Sequence, residues 1–106
     1  FGLAVLIEGE GPGVEEGAEV TVHYTGINWN TGDVFDSSWQ RGAPATFPTD
    51  GVIQGFRDAL VGQTVGSQVI AIIPPELGYG PQGGTPDGSI GAEDTIVFVV
   101  DILGTR

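Results

Sequence analysis

The first candidate for chemistry is a single carboxylate, Asp36, which directly follows the aromatic residue Phe35 in a short predicted strand. Burying an unpaired charge is costly, so a half-buried carboxylate at this position should have a partner. Arg41 is the nearest basic residue along the chain and is the predicted partner. On spacing alone, the pair is either a purely structural ion pair or a charged group beside a functional site.

The residues that conventional catalysis uses are scarce. The only histidine, His23, lies on the polar face of an alternating strand, so we expect it to face solvent or to make a structural hydrogen bond. The acidic pairs Glu15-Glu16 and Glu93-Asp94 match no calcium-binding loop and are predicted to be solvated surface charge. The chain has no phosphate-binding glycine loop and no Gly-x-Ser-x-Gly motif, and no cofactor or metal site is predicted.

Composition narrows the class of protein and of partner. The net charge is −11, from 14 acidic residues against three arginines, which disfavours nucleic acid and anionic lipid as partners. The absence of cysteine excludes disulfides and thiolate chemistry. A length of 106 residues and a hydrophobic content of 40% predict one folded domain over residues 1–106, without direct membrane insertion. Because the chain begins with Phe1 and holds no methionine, we expect a processed or excised domain, with any signal or anchor outside it.

One stretch, Val52–Gly62, has apolar residues at helical spacing. Ile53, Phe56 and Leu60 share one face of the predicted helix, and Gly62 is expected to end it in a left-handed conformation. So short a helix is unstable alone in water, so it must pack on something.

The rest of the chain is predicted to be strand and turn. Alternating or continuous apolar residues predict strands at Leu3–Glu8, Glu19–Trp29, Val34–Asp36, Ala45–Phe47, Ser67–Ile73 and Thr95–Leu103. Ser67–Ile73 is apolar on nearly every residue, which predicts a central strand with both faces covered. Ser37–Pro44 is predicted to be a loop, and the long loop Pro74–Ala92 is expected to be functional. The fold class is α+β, with the helix on one face of an antiparallel sheet.

Apolar and aromatic residues gather at strand ends and around the start of the helix. Each alone is more often a core residue, but together with two tyrosine hydroxyls and one carboxylate they could line an apolar pocket. The set comprises Tyr24, Phe35, Phe47, Val52, Ile53, Phe56, Tyr79 and Phe98.

Five motifs, in order along essentially the whole chain, resemble those of the FKBP family of peptidyl-prolyl cis-trans isomerases. They are Val22-His23-Tyr24-Thr25-Gly26, Val34-Phe35-Asp36-Ser37-Ser38, Val52-Ile53-Gln54-Gly55-Phe56, Leu77-Gly78-Tyr79-Gly80 and Val97-Phe98-Val99-Val100. The resemblance implies an antiparallel half-barrel of about five strands wrapped around one short helix. It also implies a proline-binding pocket that accepts proline-containing peptides, unfolded proteins, and macrolides such as tacrolimus or rapamycin. A monomer is expected.

The resemblance also implies roles for single residues. Phe56 would form the pocket floor, Tyr24, Phe35 and Phe98 its walls, and Val52 and Ile53 its rim. Asp36 and Tyr79 would be its polar groups, and the Ile53 N–H would bind a ligand carbonyl. The residues implied in catalysis are Asp36, Tyr79, Phe35 and Phe56. In the loop from Tyr79 to Ile90, the resemblance implies one further substrate-binding residue, Ile90.

Three positions depart from the family pattern. Phe56 stands where many members have tryptophan, which leaves a roomier floor. Ala45 stands where the family often has phenylalanine, so one wall is lost, whereas Phe47 matches the second, core-directed aromatic. The loop from Tyr79 to Ile90 is longer than in compact members. These departures bear on substrate preference and drug affinity more than on fold.

The implied reaction suits such a pocket, because rotation about an X-Pro bond breaks no covalent bond and needs only the loss of amide resonance, against a barrier of about 18–20 kcal/mol. Two alternatives stay open: a non-catalytic chaperone or proline-peptide-binding module that uses the same cleft, and a structural or adhesion domain with no pocket. The acidic composition, without Lys or Cys, resembles bacterial cell-envelope members of the family, which favours an envelope or secreted location and leaves the cytoplasm open.

Overall fold

The computed structural model describes residues 1–106, which form one antiparallel sheet and two short helices. The strands are β1 (Gly2–Ile7), β2 (Glu19–Asn28), β3 (Val34–Ser37), β4 (Ala45–Pro48), β5 (Gln68–Ile73) and β6 (Ile96–Thr105). The helices are α1 (Ser38–Arg41) and α2 (Gln54–Leu60), and 3₁₀ turns cover Thr49–Gly51 and Pro75–Leu77. The α+β half-barrel around one main short helix is confirmed, with six strands rather than about five.

The two long strands, β2 and β6, form the centre of the sheet. The strand order is β1-β5-β6-β2-β3, and β4 pairs with the first half of β2 while β3 pairs with its second half. The register of β2 on β6 runs from Val20 opposite Thr105 to Asn28 opposite Ile96. Because side chains alternate along a strand, this register puts every second residue of both strands on one inner face.

The inner face of the sheet carries the core. Ile96, Phe98, Val100 and Ile102 of β6 are all buried, as their spacing predicts. Helix α2 lies against this face and buries Phe56, Ala59 and Leu60 on one side. Gly62 has a positive φ of 91°, as predicted, but α2 ends before it, because the capping residue Val61 is extended, with φ of −63° and ψ of 128°. Gly62 therefore lies in the turn after the helix, and its N–H bonds the Val14 carbonyl instead of closing the helix.

The outer face of the sheet is open, and one prediction fails there. Strand β5 lies between β1 and β6, as expected of a central strand, but only its inner side is fully buried, and its outer side is half-buried or exposed. Ile72, on its outer side, is 48% exposed. With a single helix to cover one face, a half-barrel leaves the other face of each strand in solvent, whatever its hydrophobicity. Neither helix has the length and hydrophobicity needed to cross a bilayer.

The segment predicted as a loop at Ser37–Pro44 contains the single-turn helix α1. The Ser37 hydroxyl accepts a hydrogen bond from the Gln40 N–H, and Gly42 ends the turn. The helix is fastened to β2 by Ser38, whose buried hydroxyl accepts the Tyr24 N–H at 2.7 Å. This turn determines where the Arg41 side chain lies.

Candidate active site

A cavity of about 320 Å³ opens between helix α2 and the inner face of the sheet. Six of its ten lining residues are aromatic, and Asp36 is the only charged one. The lining residues are Tyr24, Phe35, Asp36, Phe47, Gly51, Val52, Ile53, Phe56, Tyr79 and Phe98. The cavity is therefore an apolar cleft with few polar groups, the usual character of a small-ligand site.

The cavity floor is a set of aromatic rings in edge-to-face contact. The Phe56 ring lies 4.7 Å from Phe98, 5.3 Å from Phe47 and 6.0 Å from Tyr24, measured between centroids. Phe56 is 4% exposed, so it belongs to the core and to the cavity at once. Edge-to-face pairs at these distances are favourable beyond the area that they bury, and they fix the shape of the floor.

One wall depends on a glycine in β2. A Cβ atom built on Gly26 would lie 2.6 Å from the Phe35 ring and 2.8 Å from the Phe98 ring. Phe35 and Phe98 pack edge to face at 5.6 Å directly over this backbone position. Any side chain at position 26 would displace one of them, so Gly26 sets the depth of this wall.

The polar edge of the cavity is a closed triangle of side chains. Arg41 donates through Nη1 to Asp36 and through Nη2 to the Tyr24 oxygen at 3.1 Å, while the Tyr24 hydroxyl donates to the second Asp36 oxygen. The predicted pairing of Asp36 with Arg41 is therefore present. The two side chains are 39% and 50% exposed, so the pair lies at the mouth of the cavity rather than in its interior.

Two further polar groups at the cavity are unused. The Tyr79 hydroxyl and the Ile53 backbone N–H make no hydrogen bond within the chain. Burial raises the pKa of Tyr79, and the negative charge of Asp36 raises it further. The Tyr79 hydroxyl therefore stays protonated at neutral pH, and both groups are available as hydrogen-bond donors.

His23 does not line the cavity and has a structural position. Its Nδ1 lies 2.8 Å from the Ser38 hydroxyl, and its ring stacks on Trp39 with centroids 3.8 Å apart. It thereby helps to hold α1 against β2, in agreement with the structural hydrogen bond expected from the sequence.

A buried asparagine anchors the long loop that begins at Tyr79. Asn28 is fully buried, and its Nδ2 donates to the Ser89 carbonyl at 3.0 Å and to the Asp94 carboxylate at 2.9 Å. Asp94 also accepts the Gly91 N–H, and this bond, followed by the one from Asn28, lowers the pKa of Asp94. Sequence reasoning missed Asn28, although a polar residue on the apolar face of a strand is a visible signal.

The comparison with known families decides the assignment. The sequence model of the FKBP-type peptidyl-prolyl cis-trans isomerases matches residues 11–103 of the chain. The chain belongs to the FKBP-type isomerase family.

Relatives of known name agree. A probable FK506-binding protein of Corynebacterium glutamicum is 42% identical over 101 residues, which is 95% of this chain and 83% of the relative. The FKBP-type 22 kDa peptidyl-prolyl cis-trans isomerase of Escherichia coli is 46% identical over 99 residues, which is 93% of this chain and 47% of the relative. Membership of the family of FKBP-type peptidyl-prolyl cis-trans isomerases assigns that enzyme class to the chain.

The fold agrees as well. The crystal structure of FkpA from Escherichia coli matches with a TM-score of 0.89 and 36% identity, over 98% of this chain and 47% of that one. This chain spans about half the length of the two Escherichia coli proteins.

The predicted FKBP site residues mostly meet at one place. Eight of the nine predicted substrate-binding residues line the cavity, whereas Ile90 is 1% exposed, packed in the core, and does not line it. Two more residues line the cavity: Phe47, which belongs to the apolar set predicted from the sequence but is core-directed according to the resemblance, and Gly51, which was not predicted. Ala45, where many members have phenylalanine, does not line the cavity, and Phe47 is the lining residue that β4 contributes.

Proposed function

We propose that this domain, residues 1–106, accelerates rotation about X-Pro bonds in unfolded or partly folded protein segments, and so assists their folding. The proline ring enters the aromatic cavity, and no covalent intermediate, metal or cofactor takes part. The observation that carries the proposal is the cavity itself, which combines a floor of aromatic rings with two unused hydrogen-bond donors, Tyr79 and the Ile53 N–H.

The aromatic floor would lower the barrier through its effect on the amide. A planar X-Pro amide has more charge separation than the twisted amide of the transition state. Transfer from water to a dry apolar site therefore raises the free energy of the planar form more than that of the twisted form, which lowers the barrier between them. Phe35, Phe56 and Phe98 provide that surface, with Tyr24 beside them. The gain comes from desolvation, which needs no proton transfer.

The unused donors would confine the rotation to one bond. The Tyr79 hydroxyl and the Ile53 N–H would hold carbonyl groups of the substrate on opposite sides of the proline. Asp36 would act as an orienting group, since its two oxygens already accept hydrogen bonds from Tyr24 and Arg41. A cavity of this kind would also accept macrolides such as tacrolimus or rapamycin, which we propose as competitive inhibitors.

A direct test is the cis/trans rate of a short X-Pro peptide with and without the protein, and with tacrolimus added. Acceleration that tacrolimus abolishes supports catalysis in this cavity. Binding of the peptide without acceleration would instead support the non-catalytic chaperone or proline-peptide-binding module. The loss of one pocket wall at Ala45 is the feature that favours this alternative. Lack of both would leave the structural or adhesion domain. The monomeric state and the envelope or secreted location stay predictions.

The isomerase rate is expected to be flat between about pH 6 and pH 9, because the proposed mechanism involves no proton transfer. Burial, and next the hydrogen bond to Asp36, raise the pKa of Tyr24, and burial raises the pKa of Tyr79, so both hydroxyls stay protonated throughout. The measurement is kcat/KM for one peptide across this range, for the wild type and for His23→Gln, which can keep the hydrogen bond to Ser38. A bell-shaped profile that disappears in His23→Gln would mean that a base acts in the reaction.

Asp36→Leu is expected to lower kcat/KM by clearly less than the roughly 100-fold that loss of a general acid costs. Arg41→Ala should have a smaller effect, and the double variant should resemble Asp36→Leu alone, because Arg41 acts through Asp36. An ion pair this exposed contributes little to stability, so all three variants should unfold near the wild-type midpoint.

The matched control for this series is Tyr24→Phe, which keeps the ring in the wall and removes only the hydroxyl that bonds Asp36. Its loss of activity should not exceed that of Asp36→Leu. Complete loss of turnover in a folded Asp36→Leu protein would show that the carboxylate does chemistry of its own. Additive effects of the Asp36 and Arg41 changes on kcat/KM would show that the two residues act independently.

A further inference from the structure

The outer face of the sheet carries an uncharged row that crosses five strands. The strand registers place Gly2 opposite Ile72, Ile72 opposite Val97, Val97 opposite Ile27, and Ile27 opposite Val34. Paired residues lie on the same face of a sheet, and this row lies on the face away from the core. Ile72 and Val34 are 48% and 46% exposed, so the row is open to solvent.

A second uncharged row lies beside the first and pairs Ile70 of β5 with Val99 of β6. The third row ends the apolar surface, because it contains Asp101 opposite His23, and Trp39 of α1 stacks on that histidine. We call the large apolar side chains of the first two rows the outer patch. They are Ile27, Val34, Ile70, Ile72, Val97 and Val99.

The outer patch is continuous with the cavity across β3. This strand lies at the edge of the sheet and pairs only with β2. Phe35 lines the cavity on the inner side, whereas the preceding residue, Val34, belongs to the outer patch. A polypeptide that leaves the cavity past β3 therefore reaches the outer patch by rounding one strand. A sheet with its side chains is about 10 Å thick, a distance that about three or four extended residues span.

The size of the outer patch fits one extended segment. Five strands about 4.8 Å apart give the first row a length of about 19 Å, which about six extended residues span. The two rows together cover on the order of 300 Å², well below the roughly 800 Å² per partner that a stable dimer buries. A second copy would also bring another net charge of −11, and the same charge repels anionic lipid. An uncharged apolar segment meets neither obstacle.

We propose that the outer patch is a second binding site, which holds an uncharged apolar segment of the same unfolded chain whose proline occupies the cavity. The inference rests on the proposed isomerase function and specifies its substrates, which carry such a segment about four residues from the proline. Binding at the patch is then intramolecular. An effective concentration on the order of 1 mM, against a Kd on the order of 0.1 mM for the patch alone, lowers the apparent KM about tenfold.

The test uses a short neutral X-Pro peptide and two extended forms of equal charge. One form adds a linker of four uncharged polar residues and then six residues rich in leucine and valine; the other has serine and threonine in place of these apolar residues. Both forms are made with the extension before the proline and with it after the proline. In one of these two directions we expect the apolar extension to lower KM about tenfold relative to the polar one, with kcat unchanged.

A matched pair of variants locates the effect. Ile72→Thr changes the centre of the outer patch, whereas Leu103→Thr changes an equally exposed apolar residue outside it. Leu103 lies on β6 six residues from Val97, about 20 Å away along the strand. Threonine is β-branched and suits a strand at both positions. Ile72→Thr should raise KM for the apolar-extension peptide about threefold or more and leave KM for the short peptide unchanged, whereas Leu103→Thr should alter neither.

The outcomes separate this inference from the isomerase function. Equal KM for the apolar and polar extensions in both directions, with the short peptide turned over, overturns the inference and leaves the isomerase function intact. An advantage that the two variants reduce equally, or that Ile72→Thr does not reduce, overturns the assignment to the outer patch. A dimer of the free protein in sedimentation velocity, or binding to phosphatidylcholine vesicles, that Ile72→Thr abolishes would make a second copy or a lipid surface the occupant instead. If the short peptide is not accelerated, the proposed function fails, and this inference fails with it.

Discussion

Phe56→Ala is expected to lower the free energy of unfolding by about 3–5 kcal/mol, the usual cost of truncating a buried phenylalanine, and to remove most of the isomerase activity. Both losses follow from one position. The Phe56 ring is 4% exposed and touches Phe47, Phe98 and Tyr24, and it also forms the cavity floor. Chemical denaturation gives the first quantity, and kcat/KM per folded molecule at low temperature gives the second.

Leu60→Ala is the matched control for this prediction. Leu60 is fully buried on the same face of α2, but it does not line the cavity. Its truncation should cost about 2–5 kcal/mol of stability and leave kcat/KM of the folded fraction near that of the wild type. If Phe56→Ala also retained normal kcat/KM in its folded fraction, Phe56 would be a core residue alone, and desolvation by the floor could not explain the rate.

The parts of the fold that the sequence predicts well are those with a clear period. Burial alternates along the whole of β2 and along β6 from Ile96 to Ile102, and the pattern of α2 matches one helical face, so the inner residues of these elements could be identified one by one. Periodicity reports which residues of an element share a face. It does not report how many faces the fold covers, which is why the continuous apolar run of β5 predicted burial on both sides and the outer side is open.

Helix α1 shows a second limit. It has one turn, too short for any hydrophobic period, and its only signals are the cap at Ser37 and Gly42 after its end. Yet this turn brings Arg41 to Asp36. The pairing could be predicted from the scarcity of basic residues, whereas the helix that makes it could not.

The candidate site also divides into residues that the sequence predicts and residues that it does not. Most lining residues are aromatic, and spacing and family resemblance pointed to them because they combine apolar area with defined positions on strands and α2. Ile90, which the resemblance implied at the substrate, is buried in the core, whereas Phe47, which the resemblance implied in the core, lines the cavity. Which of two apolar residues faces a cavity depends on the path of the loops, and no local pattern encodes that path.

Asn28→Ala is expected to cost about 1–3 kcal/mol of unfolding free energy, because it removes hydrogen bonds in a fully buried position and leaves their partners unsatisfied. It should also loosen the loop that follows Tyr79. Asn28 holds Ser89 and Asp94, the Gly91 segment pairs with Gly84, and the Gly84 N–H bonds the Tyr79 carbonyl at 2.8 Å. The measurements are chemical denaturation, hydrogen exchange of the amides in residues 79–94, and KM for a neutral X-Pro peptide.

A pair of charge variants distinguishes this anchor from ordinary packing. Asn28→Asp places a second carboxylate against Asp94. The two negative charges would be in contact and repel each other, so this variant should destabilise the fold at neutral pH by more than Asn28→Ala. Adding Asp94→Asn restores one donor and one acceptor across the contact and should recover part of the loss. KM should rise in each variant in proportion to the faster exchange of the loop amides. If stability falls while the loop amides and KM stay unchanged, Asn28 supports the core without positioning Tyr79, and the loop keeps its shape through its own hydrogen bonds.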